Sequence, residues 1–110
     1  MNIQIFGKSK CFDTRKAERW FKERRIKYQY IDIVKYGMSR GELLSMKNAV
    51  GLENLADPKD PDYALFQYLA GNDAKLEKLF EVPEMIRTPV VRNGKKATVG
   101  YCPEIWKDWE

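Results

Sequence analysis

The sequence contains no histidine, and that absence removes the Cys-His dyad and most zinc sites from consideration, so no bound metal is expected. Cysteine is scarce: Cys11 and Cys102 are the two in 110 residues. Two thiols in a chain of this length do not make a disulfide framework. A reducing compartment is therefore expected, with the cytoplasm as the default, and there a lone cysteine is either reactive or simply buried. No apolar run approaches the roughly eighteen residues that cross a bilayer, so no membrane partner is expected. The chain opens on strand-like sequence, from which no secretory leader is expected. No basic run is interleaved with aromatics and no Cys/His finger spacing exists, so DNA is not an expected partner.

What is present is a globular balance, 44% hydrophobic and 33% charged. The length suits one domain, residues 1–110, with a real core. The net charge of +4, from 20 basic and 16 acidic residues, weakly favours anionic partners. No segment repeats another, and none is low in complexity.

Taken in order, Asn2 to Phe6 alternates Ile3 and Ile5 with polar neighbours and predicts a first strand. From Asp13 the period changes, with Ala17, Trp20 and Phe21 at helical spacing and Asp13 or Thr14 available as a cap. Lys22 to Lys27 is read as a solvated, charged helix end. Tyr28 to Ile33 is rich in β-formers and predicts the second strand, completing a right-handed β-α-β unit with parallel strands. Lys35-Tyr36-Gly37 reads as a turn. Ser39-Arg40-Gly41-Glu42 has the S-x-x-E form of a capping box and opens a helix to about Ala49. Asp57 to Asp62, with two prolines, reads as a loop, and two short helices follow at Tyr63–Leu69 and Asp73–Phe80, separated by Gly71-Asn72. Arg87 to Arg92 predicts the third strand, Asn93-Gly94 a hairpin turn, and Lys96 to Gly100 the return strand. Pro103 begins a last helix, Glu104 to Trp109. Trp20, Phe21, Trp106 and Trp109 are expected in the core, and Lys95-Lys96 on the surface.

If the third strand runs antiparallel to the first and the fourth antiparallel to the third, three segments share one end of the sheet. Cys11, Thr88-Pro89 and Gly100-Tyr101-Cys102 then meet there. Cys11 sits where a strand hands over to a helix, so its sulfur faces unpaired N–H groups and the positive end of the helix dipole. Lys8, Lys10 and Arg15 add positive charge. A thiol so placed ionises more readily than a free one.

With cysteine at the first strand-to-helix turn and Thr88-Pro89 opening the third strand, the sequence resembles the thioredoxin-like superfamily. Within it the sequence looks most similar to the glutaredoxin-linked arsenate reductase (ArsC) family, which includes the Spx regulators. Cys11-Phe12-Asp13-Thr14-Arg15 with its following helix fits that family's opening, and Thr88-Pro89-Val90-Val91-Arg92-Asn93-Gly94 with Thr98-Val99-Gly100-Tyr101 fits its closing hairpin. The resemblance implies an α/β fold of glutaredoxin type: a mixed four-stranded sheet, flanking helices and a helical insertion at about 38–86. It implies Cys11 as nucleophilic thiolate, Arg15 as a flanking cation, and Pro89 as a cis-proline facing the thiol. Lys8, Lys10, Thr14 and Thr88 are the expected substrate contacts. No bound cofactor is implied; glutathione or a redoxin (glutaredoxin or thioredoxin) is the cosubstrate. Thr14 replaces the second cysteine of C-x-x-C, so no disulfide forms within that turn. Thr88 stands where the family's arsenate reductases carry arginine before the proline. Arg87, one residue earlier, falls on the opposite face if the segment is a strand. The family's middle-region arginine would lie within residues 51–57, which contain none. Cys102 is either a resolving thiol, pairing with Cys11 if their Cα atoms lie within about 7 Å, or a partly buried one. Two functions stand side by side: a single-cysteine thiol oxidoreductase acting on an oxyanion or mixed disulfide, and a Spx-like redox-responsive module that binds RNA polymerase.

Overall fold

Ile3, Ile5 and Phe6 are almost wholly buried although they point to opposite sides of the same strand, so both faces of that strand are covered. In the computed structural model, which describes residues 1–109, this strand is β1 (Ile3–Gly7). It lies second in a four-stranded sheet of order β2-β1-β3-β4, with β2 at Tyr28–Asp32, β3 at Val90–Asn93 and β4 at Lys96–Val99. β1 pairs parallel with β2 and antiparallel with β3, which pairs antiparallel with β4. In that register Phe6 faces Val90 and Val90 faces Val99, so the end of β1, the start of β3 and the end of β4 coincide. This is the thioredoxin-like arrangement.

The two faces carry separate cores. Ile3, Ile5 and Val91 pack with Ala17, Trp20 and Phe21 of α1 (Phe12–Glu23) and with Trp106 of α7 (Pro103–Trp106). On the other face Phe6 and Val90 meet Leu43, Met46, Leu55, Leu79 and Ile86 from the segment between β2 and β3. That segment holds α2 (Ile33–Tyr36), α3 (Arg40–Val50), α4 (Leu52–Leu55), α5 (Tyr63–Gln67) and α6 (Gly71–Glu81). The capping box is formed: Ser39 Oγ accepts from the Glu42 N–H at 3.1 Å, and Glu42 accepts from the Ser39 N–H at 2.8 Å. A two-pronged Arg40–Glu77 ion pair ties α3 to α6 on the surface.

Several boundaries differ from the sequence reading. β2 stops at Asp32 because its carboxylate accepts from the Val34 and Lys35 N–H groups at 3.0 and 3.2 Å, turning residues expected as strand end and turn into α2. Gly71-Asn72, expected as a break, begins α6. The third strand starts at Val90, not Arg87, since the segment before it pairs elsewhere. Ala56 bridges Ile86, Asp57 N–H donates to Met85 O at 2.8 Å, and Arg87 N–H donates to Leu55 O at 2.7 Å. The hairpin loop is Gly94-Lys95, with Gly94 at φ 61°, as two-residue hairpins with glycine first require. Among the described residues no helix is long and apolar enough to cross a membrane.

The end of α1 carries a testable strain. Ile26 N–H donates to Phe21 O and Arg25 N–H to Lys22 O, both at 3.0 Å, the paired bonds of a Schellman motif. The residue in the left-handed position is Arg25, at φ 59°, where a side chain costs about 1 kcal/mol relative to glycine. Arg25→Gly is expected to raise stability by about 0.5–1 kcal/mol, read as a higher urea midpoint with unchanged slope.

Candidate functional site

At the shared end of the sheet the chain leaves β1 through Gly7 and turns over Lys8–Cys11, the turn being closed by the Cys11 N–H on Lys8 O at 3.0 Å. The cap residue of α1 is Cys11 itself, not Asp13 or Thr14, and no side chain caps the helix. The orphan N–H groups of the first turn are therefore free to address the sulfur. Arg15 fixes this turn from outside, donating from Nε and a terminal nitrogen to Ser9 O at 3.3 and 3.1 Å. It does not line the cleft into which Cys11 opens.

Opposite stands Thr88-Pro89, whose peptide bond is cis. The Cys11 thiol donates to Thr88 O at 3.5 Å. Burial pushes the thiol up, but hydrogen bonds from the Thr14 and Thr88 side chains and from the Thr14 and Asp13 backbone outweigh it, so its pKa lies below that of an ordinary thiol. Thr14 is the most telling of these donors. It is 1% exposed, and its hydroxyl has no hydrogen-bond partner among the neighbouring groups. A wholly buried orphan hydroxyl needs an explanation, and ionisation of Cys11 supplies the acceptor.

Thr14→Val keeps the shape and removes the donor. It is expected to raise the Cys11 pKa, because one donor to the thiolate is lost, and to slow alkylation at neutral pH accordingly. The lowered folded pKa contributes stability that is present above the unfolded thiol's pKa and is lost as pH falls through the folded value. In Thr14→Val that alkaline increment shrinks.

Cys11 opens into a cleft of about 610 Å³ lined by Lys8, Lys10, Asp13, Asp57, Pro58, Lys59, Arg87 and Thr88. Lys8 is engaged, donating to Glu84 O at 2.7 Å. Arg87, expected on the far face, lines this cleft beside Thr88. It lies before β3 rather than in it, so strand alternation does not apply. Lys59 lies two residues past 51–57, where the resemblance places an arginine, and the 55–57 to 85–87 pairing carries it to the cleft. Its signal in the sequence was only a lysine between two prolines. Lys95 and Lys96 sit at the opposite end of the sheet. Among the described residues no group of His, Cys, Asp and Glu is placed to hold a metal.

Cys102 is a free thiol, like Cys11, and lines a different cleft. It donates to Val99 O at 3.3 Å. Burial and the Glu104 carboxylate push its pKa up, against Arg87 and Thr98. The two sulfurs are thus differentiated, Cys11 toward thiolate and Cys102 toward thiol.

The model of the ArsC family matches residues 6–109. The chain is 28% identical over 109 residues to global transcriptional regulator Spx 2 of Oceanobacillus iheyensis, covering 92% of this chain and 78% of that protein. It is also 28% identical over 115 residues to the uncharacterised protein YusI of Bacillus subtilis, covering 98% of each. Among solved structures, an arsenate reductase from Vibrio cholerae superposes with a TM-score of 0.85 at 22% identity, covering 98% of this chain and 97% of that one. At that identity the superposition speaks for the fold.

Proposed function

From the premise that this chain belongs to the ArsC family, we propose that it is a thiol-dependent oxidoreductase working through Cys11 alone. The observation that carries the reading is the set of donors converging on one sulfur: the helix-start N–H groups and the Thr14 and Thr88 hydroxyls, the first of these hydroxyls buried and engaged by no other group.

The chemistry follows from a single thiolate. Cys11 attacks the glutathione-side sulfur of a mixed disulfide. The new S–S bond forms as the old one breaks, and the other sulfur leaves as a thiolate that takes a proton from solvent. A second glutathione, as thiolate, then attacks the glutathione sulfur on Cys11, releasing glutathione disulfide and returning the Cys11 thiolate. A redoxin can stand in for the second thiol. Cys102, held protonated, is not required. Thr88 and Pro89 form the wall against which the substrate sulfurs align. Lys10, Lys59 and Arg87 supply charge for carboxylates of the thiol. The same cations would hold an oxyanion next to Cys11, which keeps arsenate within the substrate range.

The test is the alkylation rate of Cys11 against pH in Cys102→Ser protein, together with turnover of a glutathione mixed disulfide and of arsenate. A midpoint below that of a free thiol, with turnover lost in Cys11→Ser, is expected. A midpoint at or above the free-thiol value removes the reading. A second reading, a regulator in the manner named for the Oceanobacillus protein, draws on Phe12, 73% exposed directly beside Cys11, an aromatic suited to a protein surface. Capture of RNA polymerase, lost in Phe12→Ser, is the result that supports it.

A further inference from the structure

A groove separate from the Cys11 cleft runs along the free edge of β4. Three consecutive residues of that strand, Ala97, Thr98 and Val99, line it, with Val50 of α3 on one side and Ile105 of α7, 43% exposed, on the other. The residues alternate in face, so a cavity touching all three must open onto the strand's edge.

The pairing pattern shows what that edge presents. Gly100 N–H donates to Pro89 O at 2.8 Å, and the two-residue loop closes on the Asn93–Lys96 pair. Inward hydrogen bonding therefore falls on Lys96, Thr98 and Gly100, and the backbone groups of Ala97 and Val99 point outward. The Val99 carbonyl is taken by Cys102. The register turns the Ala97 N–H and C=O and the Val99 N–H away from β3, and among the described residues no turn, loop or cap hydrogen bond engages them. At its far end the groove reaches Arg87, the residue that also lines the Cys11 cleft.

We propose that an extended acidic polypeptide adds to the β4 edge in this groove and reaches Cys11 past Arg87. The outward groups of Ala97 and Val99 supply the main-chain ladder, and Val50, Val99 and Ile105 take alternate aliphatic side chains. Charge selects the occupant. A second copy of this chain carries the same +4 and brings Lys95 and Lys96 to its own β4, where edge lysines oppose self-pairing. An acidic segment meets those lysines and Arg87 favourably. The inference rests on the proposed function only for its direction, toward Cys11 as the reacting thiol.

The test uses isotope-labelled Cys11→Ser protein, which performs no exchange chemistry, titrated with a short peptide alternating valine with aspartate or serine. The Ala97 and Val99 amide signals are expected to shift, with their hydrogen exchange slowed at least tenfold. Methylating alternate peptide nitrogens should abolish both effects without altering the protein, and replacing aspartate by lysine should weaken binding at least fivefold. Ala97→Pro, tolerable where an edge N–H faces outward, should also remove binding. Shifts confined to the Cys11 cleft, none at millimolar peptide, or concentration-dependent shifts at Ala97 and Val99 without peptide overturn the proposal. Loss of Cys11 reactivity in the alkylation experiment leaves this result standing.

Discussion

Gly7→Ala is expected to damage stability and thiol reactivity together. A Cβ at Gly7 would lie 2.3 Å from Thr14 Cγ2 and 2.8 Å from Thr14 Oγ1, and Thr14 is enclosed between β1 and α1. Overpacking of this kind costs about 1–3 kcal/mol. The strain falls on the hydroxyl that serves the Cys11 thiolate, so the Cys11 pKa should rise as the urea midpoint falls. Thr14→Ser removes the methyl that the new Cβ would strike first. Gly7→Ala with Thr14→Ser is therefore expected to be more stable than the sum of the single changes by about 0.5 kcal/mol or more. Strictly additive losses would mean that the two residues do not touch.

Trp106→Ala is expected to cost about 3–5 kcal/mol, a large share of the total stability of a domain this size. Trp106 is fully buried, with ring centres of Phe21, Trp20 and Tyr101 at 5.1, 5.5 and 5.6 Å. Its indole N–H donates to Thr98 Oγ1 at 2.8 Å. Truncation empties the centre of the α1-side core and leaves a buried hydroxyl without its donor. It also loosens α7, whose first turn closes on Cys102 O. Cys102 should then alkylate faster at neutral pH, because the burial that holds it protonated is relieved. Urea titration checks the first effect and mass spectrometry of the alkylated thiols the second; a loss under about 1.5 kcal/mol would contradict the packing described.

Much of this was legible in the residues because periodicity and turn chemistry are local. Ile3 and Ile5, the Ala17-Trp20-Phe21 stripe, the Ser39–Glu42 box and the glycine of the hairpin each declare their element within a few positions. The meeting of Cys11 with Thr88-Pro89 followed from strand order. What escaped depends on pairings distant in sequence. Strand alternation puts Arg87 on the wrong face because nothing in its neighbours shows that residues 85–87 bond to 55–57 instead of extending β3. Lys59 reaches the cleft through the same pairing. Ile33, which reads as the end of a strand, instead opens α2, because the Asp32 carboxylate caps the turn there. Thr14 stands out in the sequence only for the cysteine it replaces, while its burial and unpartnered hydroxyl arise from the packing of α1 on Gly7 of β1.

The division of the hydrophobic core by the sheet has a kinetic corollary. Cys11, Thr14 and Trp106 belong to the α1 side, whereas Lys59 is carried by the chain segment that covers the opposite face. The strands most protected from solvent stand between these two layers, and their amides should exchange most slowly with deuterated water. If the layer holding α3 and α6 opens first, the Cys11 sulfur keeps its own donors while one wall of its cleft departs. Under mild denaturant the thiol should therefore retain its acidity after the wall that carries Lys59 has opened, two transitions separable in one titration.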